Sequence, residues 1–104
     1  MLHEYNALEQ DLARYSKSIG HPARIAILLA IVKHGNIVEK KIIDIPPLEK
    51  RIVIRHLDEL KKAGMIHGKV VGAHSHYSVD LDQMRQFAET FYSFINTIKN
   101  ATTN

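Results

Sequence analysis

Between Pro22 and Gly35 lies a run in which every residue from Ala23 to Val32 except Arg24 is apolar. A helix that is apolar around its whole circumference needs cover on several sides, so this segment is expected at the centre of the fold with the other elements packed around it. Its ends are marked. Pro22 suits the first turn, where its missing N–H would go unpaired in any case, and Lys33-His34-Gly35 places basic residues and a glycine at the far end. A chain of 104 residues is of ordinary single-domain size, and no internal repeat, low-complexity tract or linker divides residues 1–104.

The flanking segments supply the cover. Tyr5, Leu8, Leu12, Tyr15 and Ile19 alternate spacings of three and four, which puts one apolar stripe on a helix; Gly20-His21-Pro22 ends it. After Gly35-Asn36 the amphipathic stretch Ile37 to Ile45, stopped by Pro46-Pro47, reads as a short helix. The next helix spans about Glu49 to Ala63 and is closed by Gly64. At about 100° per residue, Val53, His56, Leu57 and Leu60 share one face, and Arg51, Arg55 and Lys62 lie almost opposite. Met65–Val71 and Ser75–Val79, around Gly72-Ala73-His74, read as a two-stranded hairpin that must lean on the helices. The last segment carries a second stripe, Leu81, Met84, Ala88, Phe91, Ile95 and Ile98, with Phe87, Tyr92 and Phe94 beside it, before a polar tail, Asn100 to Asn104, that is expected to fray. The fold class is mainly α with a small β-hairpin: a winged helix-turn-helix, with residues 37–63 as the helix-turn-helix and 65–79 as the wing.

Composition removes several classes of function. The apolar (45%) and charged (24%) fractions are those of a folded soluble chain. No apolar run approaches the roughly 20 residues of a membrane helix, and the opening MLHEYNALEQ has no signal-peptide pattern. A cytoplasmic location follows, with no membrane partner. The absence of cysteine excludes disulfides, thiolate metal sites and cysteine catalysis. There is no glycine-rich phosphate loop, and spacing brings together no Ser-His-acid set or carboxylate pair, so neither catalysis nor a cofactor is expected. The net charge is +3, and its placement says more: residues 49–69 hold six basic against three acidic side chains, concentrated where a nucleic-acid contact would need them.

An α-helix fits the major groove, with its outward N-terminal half near base edges. Lys50, Arg51, Ile54 and Arg55 occupy that half. Arg51 or Arg55 can read guanine bidentately, a contact worth about 1–3 kcal/mol of discrimination, and Ile54 can meet a thymine methyl. Lys62 and Lys69 lie farther along and suit phosphate, which adds affinity without sequence information. In the wing, alternation puts His74 and His76 on one face, with His67 on the partner strand. Three uses stay open for them: phosphate-backbone or minor-groove contact, plain surface, or metal ligation. His21 suits the helix start, and His56, at the edge of an apolar stripe, suits packing.

The end helices, residues 1–19 and 81–100, carry more apolar surface than a three-helix core with a wing can cover, and large exposed apolar patches mark interfaces. Tyr5, Leu8, Leu12 and Tyr15, with Met84, Phe87, Phe91, Tyr92 and Ile95, are the expected homodimer interface. A two-fold dimer places two recognition helices roughly 34 Å apart, one turn of DNA. Two other readings stand beside these: Phe87, Phe91, Tyr92 and Phe94 lining a pocket for a hydrophobic effector, and a winged-helix adaptor whose Arg51 and Arg55 face an acidic protein partner.

Ile19-Gly20-His21-Pro22-Ala23-Arg24-Ile25-Ala26-Ile27-Leu28, followed by His56-Leu57-Asp58-Glu59-Leu60-Lys61-Lys62-Ala63-Gly64-Met65-Ile66, resembles the ArsR/SmtB family of bacterial and archaeal repressors. The likeness spans roughly residues 18–80. It implies a homodimer built from the first and last helices, a recognition helix at about Glu49–Ala63, double-stranded operator DNA as partner, and release of that DNA when an effector binds. The chain departs from the family where metal is concerned. Ile37-Val38-Glu39-Lys40-Lys41 stands where sensors carry Cys-x-Cys, and the final helix has no histidine, only Asp80, Asp82 and Glu89 as candidate ligands. No metal site is expected at either of these family positions. Pro46-Pro47-Leu48-Glu49-Lys50-Arg51 also replaces the family's glycine turn and Ser/Thr-rich helix start, so base preference does not carry over.

Overall fold

In the computed structural model, which describes residues 4–34, 37–38, 42 and 49–102, the elements are α1 (Ala7–Ser18), α2 (Pro22–His34), β1 (Ile37–Val38), α3 (Lys50–Lys62), β2 (Ile66–Val71), β3 (His74–Val79) and α4 (Leu81–Thr102). The three strands form one antiparallel sheet in the order β1-β3-β2.

Local chemistry accounts for the boundaries. Asn6 and Glu9 form a reciprocal capping box at the start of α1, each backbone N–H donating to the other's side chain at 2.8 Å. At the start of α2 the His21 ring takes the capping role, its Nδ1 accepting from the Ala23 N–H at 3.0 Å. Helix α3 ends where Ala63 donates back to Glu59 and Gly64 turns to φ +79°, a left-handed conformation that glycine adopts without the Cβ clash of other residues. The two-residue loop Gly72-Ala73 joins β2 to β3. Its positive φ lies at Gly72 alone (+62°), as a type II′ hairpin turn requires.

The core gathers Tyr15 from α1, Ile27, Leu28 and Ile31 from α2, then Ile42, then Val53, Leu57 and Leu60 from α3, Met65, and Ile66 and Tyr77 from the sheet, with Met84 and Phe87 of α4 half-buried against it. Strand alternation explains the hairpin. Ile66 and Tyr77 turn inward, while cross-strand register sets Lys69 opposite His76 and Val71 opposite His74 on the outer face.

Four expectations need correction. Ile37 and Val38, expected to begin a short helix, form an edge strand instead, paired with Tyr77 and His76; two β-branched residues beside an open strand edge gain ladder hydrogen bonds there. Ile42 is helical and fully buried, and the remainder of that stretch, with the Pro46-Pro47 stop, lies outside the described residues. His74 belongs to β3 and not to the turn. The helix expected to fray from Asn100 continues to Thr102. Lastly, α2 is not covered on every side: Ile25, Leu29 and Val32 are exposed, because α1, α3 and the sheet leave one of its faces without cover from this chain.

A Cβ at Gly64 would meet only the Gln83 side chain, at an ordinary 3.7 Å, so the cost of Gly64→Ala is conformational and not steric. We expect it to lower the unfolding free energy by about 1–2 kcal/mol in urea denaturation without altering the secondary structure seen by circular dichroism.

Candidate nucleic-acid interface

Helix α3 is held from one side. Val53, Leu57 and Leu60 are fully buried and His56 nearly so, which fixes the opposite face outward. On that face Lys50, Arg51 and Arg55 are exposed and Ile54 is half-buried. Arg51 is 78% exposed and lies 3.6 Å from the Glu49 carboxylate, a surface pair worth little in water and easily exchanged for another anion. The positive end of the helix dipole adds to these charges. Lys62 is equally open, 3.9 Å from Glu59, but stands at the other end of the helix. The wing presents Lys69 and His74 exposed and His76 half-buried along its outer face. Lys50, Arg51, Ile54 and Arg55 thus form one outward surface of α3, with Lys62 apart from it and Lys69, His74 and His76 grouped on the hairpin.

His67 does not join the other wing histidines in a cluster. Its Nε2 pairs with Asp80 Oδ2 at 2.6 Å, tying β2 to the start of α4, where Asp80 Oδ1 also accepts from the Gln83 N–H at 2.9 Å. That backbone bond, with His67, holds the Asp80 carboxyl below its ordinary pKa. Among the described residues no three His, Asp or Glu side chains are grouped as metal ligands, and no helix is long and apolar enough to cross a membrane.

The contacts that position α3 are ones that sequence reasoning did not foresee. Arg24 donates through Nη1 to the carbonyls of Lys17 and Ser18, both at 3.1 Å, and through Nε to His56 Nδ1 at 3.1 Å. One guanidinium therefore caps the C-terminal end of α1 and grips the inner face of α3. The His21 ring lies tilted against that of His56, with centroids 4.4 Å apart. Arg14 of α1 donates to the Ala63 carbonyl at the C-terminal end of α3, at 2.9 Å, and lies over the Tyr15 ring at 4.3 Å. The Tyr15 hydroxyl hydrogen-bonds with the side-chain amides of Gln83 and Gln86 on α4, at 3.1 and 3.0 Å. The signal in the sequence was the His21-Pro22-x-Arg24 group, whose parts cap, start and bridge.

Of the expected dimer-interface residues, Tyr15 needs correction: at 1% exposure it belongs to the protomer's own core, since its ring packs on Phe87 and its hydroxyl is satisfied by α4. Leu12, Met84, Phe87 and Ile95 are half-buried, and Tyr5, Leu8, Phe91 and Tyr92 are exposed.

With this geometry in hand, known proteins offer a comparison. No protein-family model matches the chain. An uncharacterised HTH-type transcriptional regulator of Methanocaldococcus jannaschii is 30% identical over 77 residues, which cover 74% of this chain and 86% of that protein. The chain belongs to the HTH-type transcriptional regulators. The fold of the regulator is that of solved ArsR-family structures. An ArsR-like transcriptional regulator from Rhodococcus sp. RHA1 superposes with a TM-score of 0.74 at 16% identity, over 88% of this chain and 86% of that one. The homodimeric winged helix-turn-helix DNA-binding domain of a possible ArsR-family regulator from Mycobacterium bovis does so with a TM-score of 0.68 at 19% identity, over 100% and 99%. The likeness to ArsR/SmtB repressors thus holds at the level of the fold.

Burial, followed by the charges of His21, Arg24 and Arg55, lowers the His56 pKa from its ordinary 6.5. Because Arg24 donates to Nδ1, the folded state favours the neutral ring, whereas the unfolded chain protonates at the usual value. Stability is then fully present above about pH 6.5 and is lost as pH falls through the folded pKa. Urea titrations from pH 7.5 to 5 should show this loss, and His56→Leu should flatten that part of the profile.

Proposed function

We propose that the regulator is a cytoplasmic homodimer of ArsR type that represses transcription by binding a two-fold-related operator through the outward face of α3. The observation that carries the reading is the division of that helix: an inner face buried and bridged to α1 and α2, and an outer N-terminal half bearing Lys50, Arg51, Ile54 and Arg55 with the positive end of the helix dipole behind them. Arg51 and Arg55 read bases, Ile54 meets an apolar base edge, and Lys62, Lys69, His74 and His76 hold backbone phosphates on the flanks. The exposed apolar residues of α1 and α4 pair with those of a second copy, so that two copies of α3 enter successive major grooves on one side of the duplex. The reading needs no catalytic group, resident metal or cofactor. Release by an effector belongs to it, as the ArsR likeness implies, and the effector is not assigned.

Selection of bound fragments from sheared genomic DNA, followed by a salt series on the best of them, tests this. We expect a palindromic site whose affinity falls by orders of magnitude between about 50 and 200 mM salt. The Arg51→Ala/Arg55→Ala variant should lose roughly 1–3 kcal/mol of discrimination for each guanine contact removed while keeping the fold. Absence of enrichment, or enrichment indifferent to both arginines, would move the cationic face to an acidic protein partner.

A further inference from the structure

Arg14, Lys17 and Ser18 share one face of α1, and Glu59, Lys62 and Ala63, at the same spacing, share one face of α3. The two faces meet near the C-terminal ends of both helices and, with Arg24 of α2, line an open cleft of about 180 Å³. Four cationic side chains, Arg14, Lys17, Arg24 and Lys62, stand around it against the single carboxylate of Glu59.

The helix ends account for part of this charge. C-terminal ends attract cations because their last carbonyls lack intrahelical donors, and two guanidiniums answer that need: Arg24 donates to the carbonyls of Lys17 and Ser18, and Arg14 to that of Ala63. Two cations remain. Lys17 is exposed, and among the described residues its ammonium meets no acceptor. Lys62 is 76% exposed and lies 3.9 Å from Glu59. Arg24 Nη2 also has no acceptor among the described residues. The other nearby acid, Asp11, lies 3.8 Å from Arg14 with both groups about half-exposed, a contact that water screens. The cleft thus keeps donors and positive charge that neither the helix ends nor Glu59 occupies.

We propose that this cleft binds a small phosphate-bearing anion. Guanidinium forks together with ammonium groups are a donor set suited to phosphoryl oxygens, and a concave site focuses their field. Size and lining narrow the ligand. The volume is that of about six waters, enough for one or two phosphoryl groups with little attached. No aromatic ring lines the cleft, and its one apolar side chain is that of Ala63, so a nucleobase or an acyl chain would find nothing to pack on. A free anion suits the site better than a duplex backbone, because the site is concave and Lys62 stands about 18 Å along α3 from Lys50, away from the outward cluster. An occupant between Arg14 and Arg24 would touch the two guanidiniums that tie α3 to the other helices. The inference goes beyond the DNA reading and does not depend on it.

Calorimetric titration of the free protein with inorganic pyrophosphate, at a constant ionic strength of about 50 mM, tests the site without DNA. We expect saturable binding of one pyrophosphate per chain. Lys17→Gln, at an exposed position without side-chain contacts, should weaken it about tenfold through loss of one charge-assisted hydrogen bond. Glu59→Gln, which removes the carboxylate, should tighten it roughly threefold, and Lys33→Gln, at the far end of α2, should leave it unchanged. Binding that is absent, unsaturable, or indifferent to both Lys17 and Glu59 overturns the proposal. So does the opposite pattern, in which pyrophosphate is ignored while Lys17→Gln weakens binding to a random-sequence duplex and lowers its salt slope by about one; the cleft is then a backbone contact. Failure of the operator reading leaves the pyrophosphate titration untouched.

Discussion

The Arg24 guanidinium is the contact on which the arrangement of the helices turns. It donates to two carbonyls at the end of α1, where the last turn runs out of intrahelical donors, and to a histidine on α3. Hydrogen bonds from a charged donor contribute about 1.5–3 kcal/mol, more than neutral ones, and these three share one rigid planar group. With Arg24 in place α1, α2 and α3 cannot slide independently. Arg14 repeats the device at the other end of α3, through Ala63. Apolar packing, being non-directional, decides only which face of α3 turns inward; the directed hydrogen bonds of Arg24 and Arg14 tie that face to fixed points on α1 and α2.

The cost of this design is borne by His56. It is nearly buried, its Nδ1 is committed to accepting from Arg24, and among the described residues its Nε2 has no hydrogen-bond partner. A protonated ring would set two donors against each other beside the charges of Arg24 and Arg55. Helix α3 is thus strapped in through a group that can accept from Arg24 only when neutral. The hydrogen bonds from Tyr15 to Gln83 and Gln86, and the His67 to Asp80 pair, extend the same rigid frame from α1 and the wing to α4. Surfaces proposed for DNA and for a second copy are therefore linked through polar contacts of fixed direction as well as through the core.

Much of this was legible along the chain. The span and facing of α3 followed from the positions of Val53, Leu57 and Leu60, and its end from Gly64, because helix periodicity and a left-handed glycine are local facts. The hairpin followed from alternation around Gly72. The outward N-terminal cluster of α3 could be named because its residues lie opposite the buried face. The strand at Ile37-Val38 escaped notice, since two residues carry no period and their pairing partners lie on β3, far along the chain. Tyr15 was assigned to an interface because a stripe shows that a residue is covered without showing by what. The exposed side of α2 escaped for the converse reason: uniform apolarity does not show which face the rest of the chain will leave open.

The amino-acid sequence by itself determined α1, α2, α3, α4 and the β2-β3 hairpin, where most of them stop, and which face of α3 carries charge, because each depends on residues within a few positions of one another. Only the tertiary structure decided that Arg24 meets His56, that Arg14 meets Ala63, and that α2 presents Ile25, Leu29 and Val32 beside the start of α4. The partners in those contacts lie 32 and 49 residues apart in the two polar cases, and their meeting depends on the distance and rotation between whole elements, which no spacing within a single element encodes.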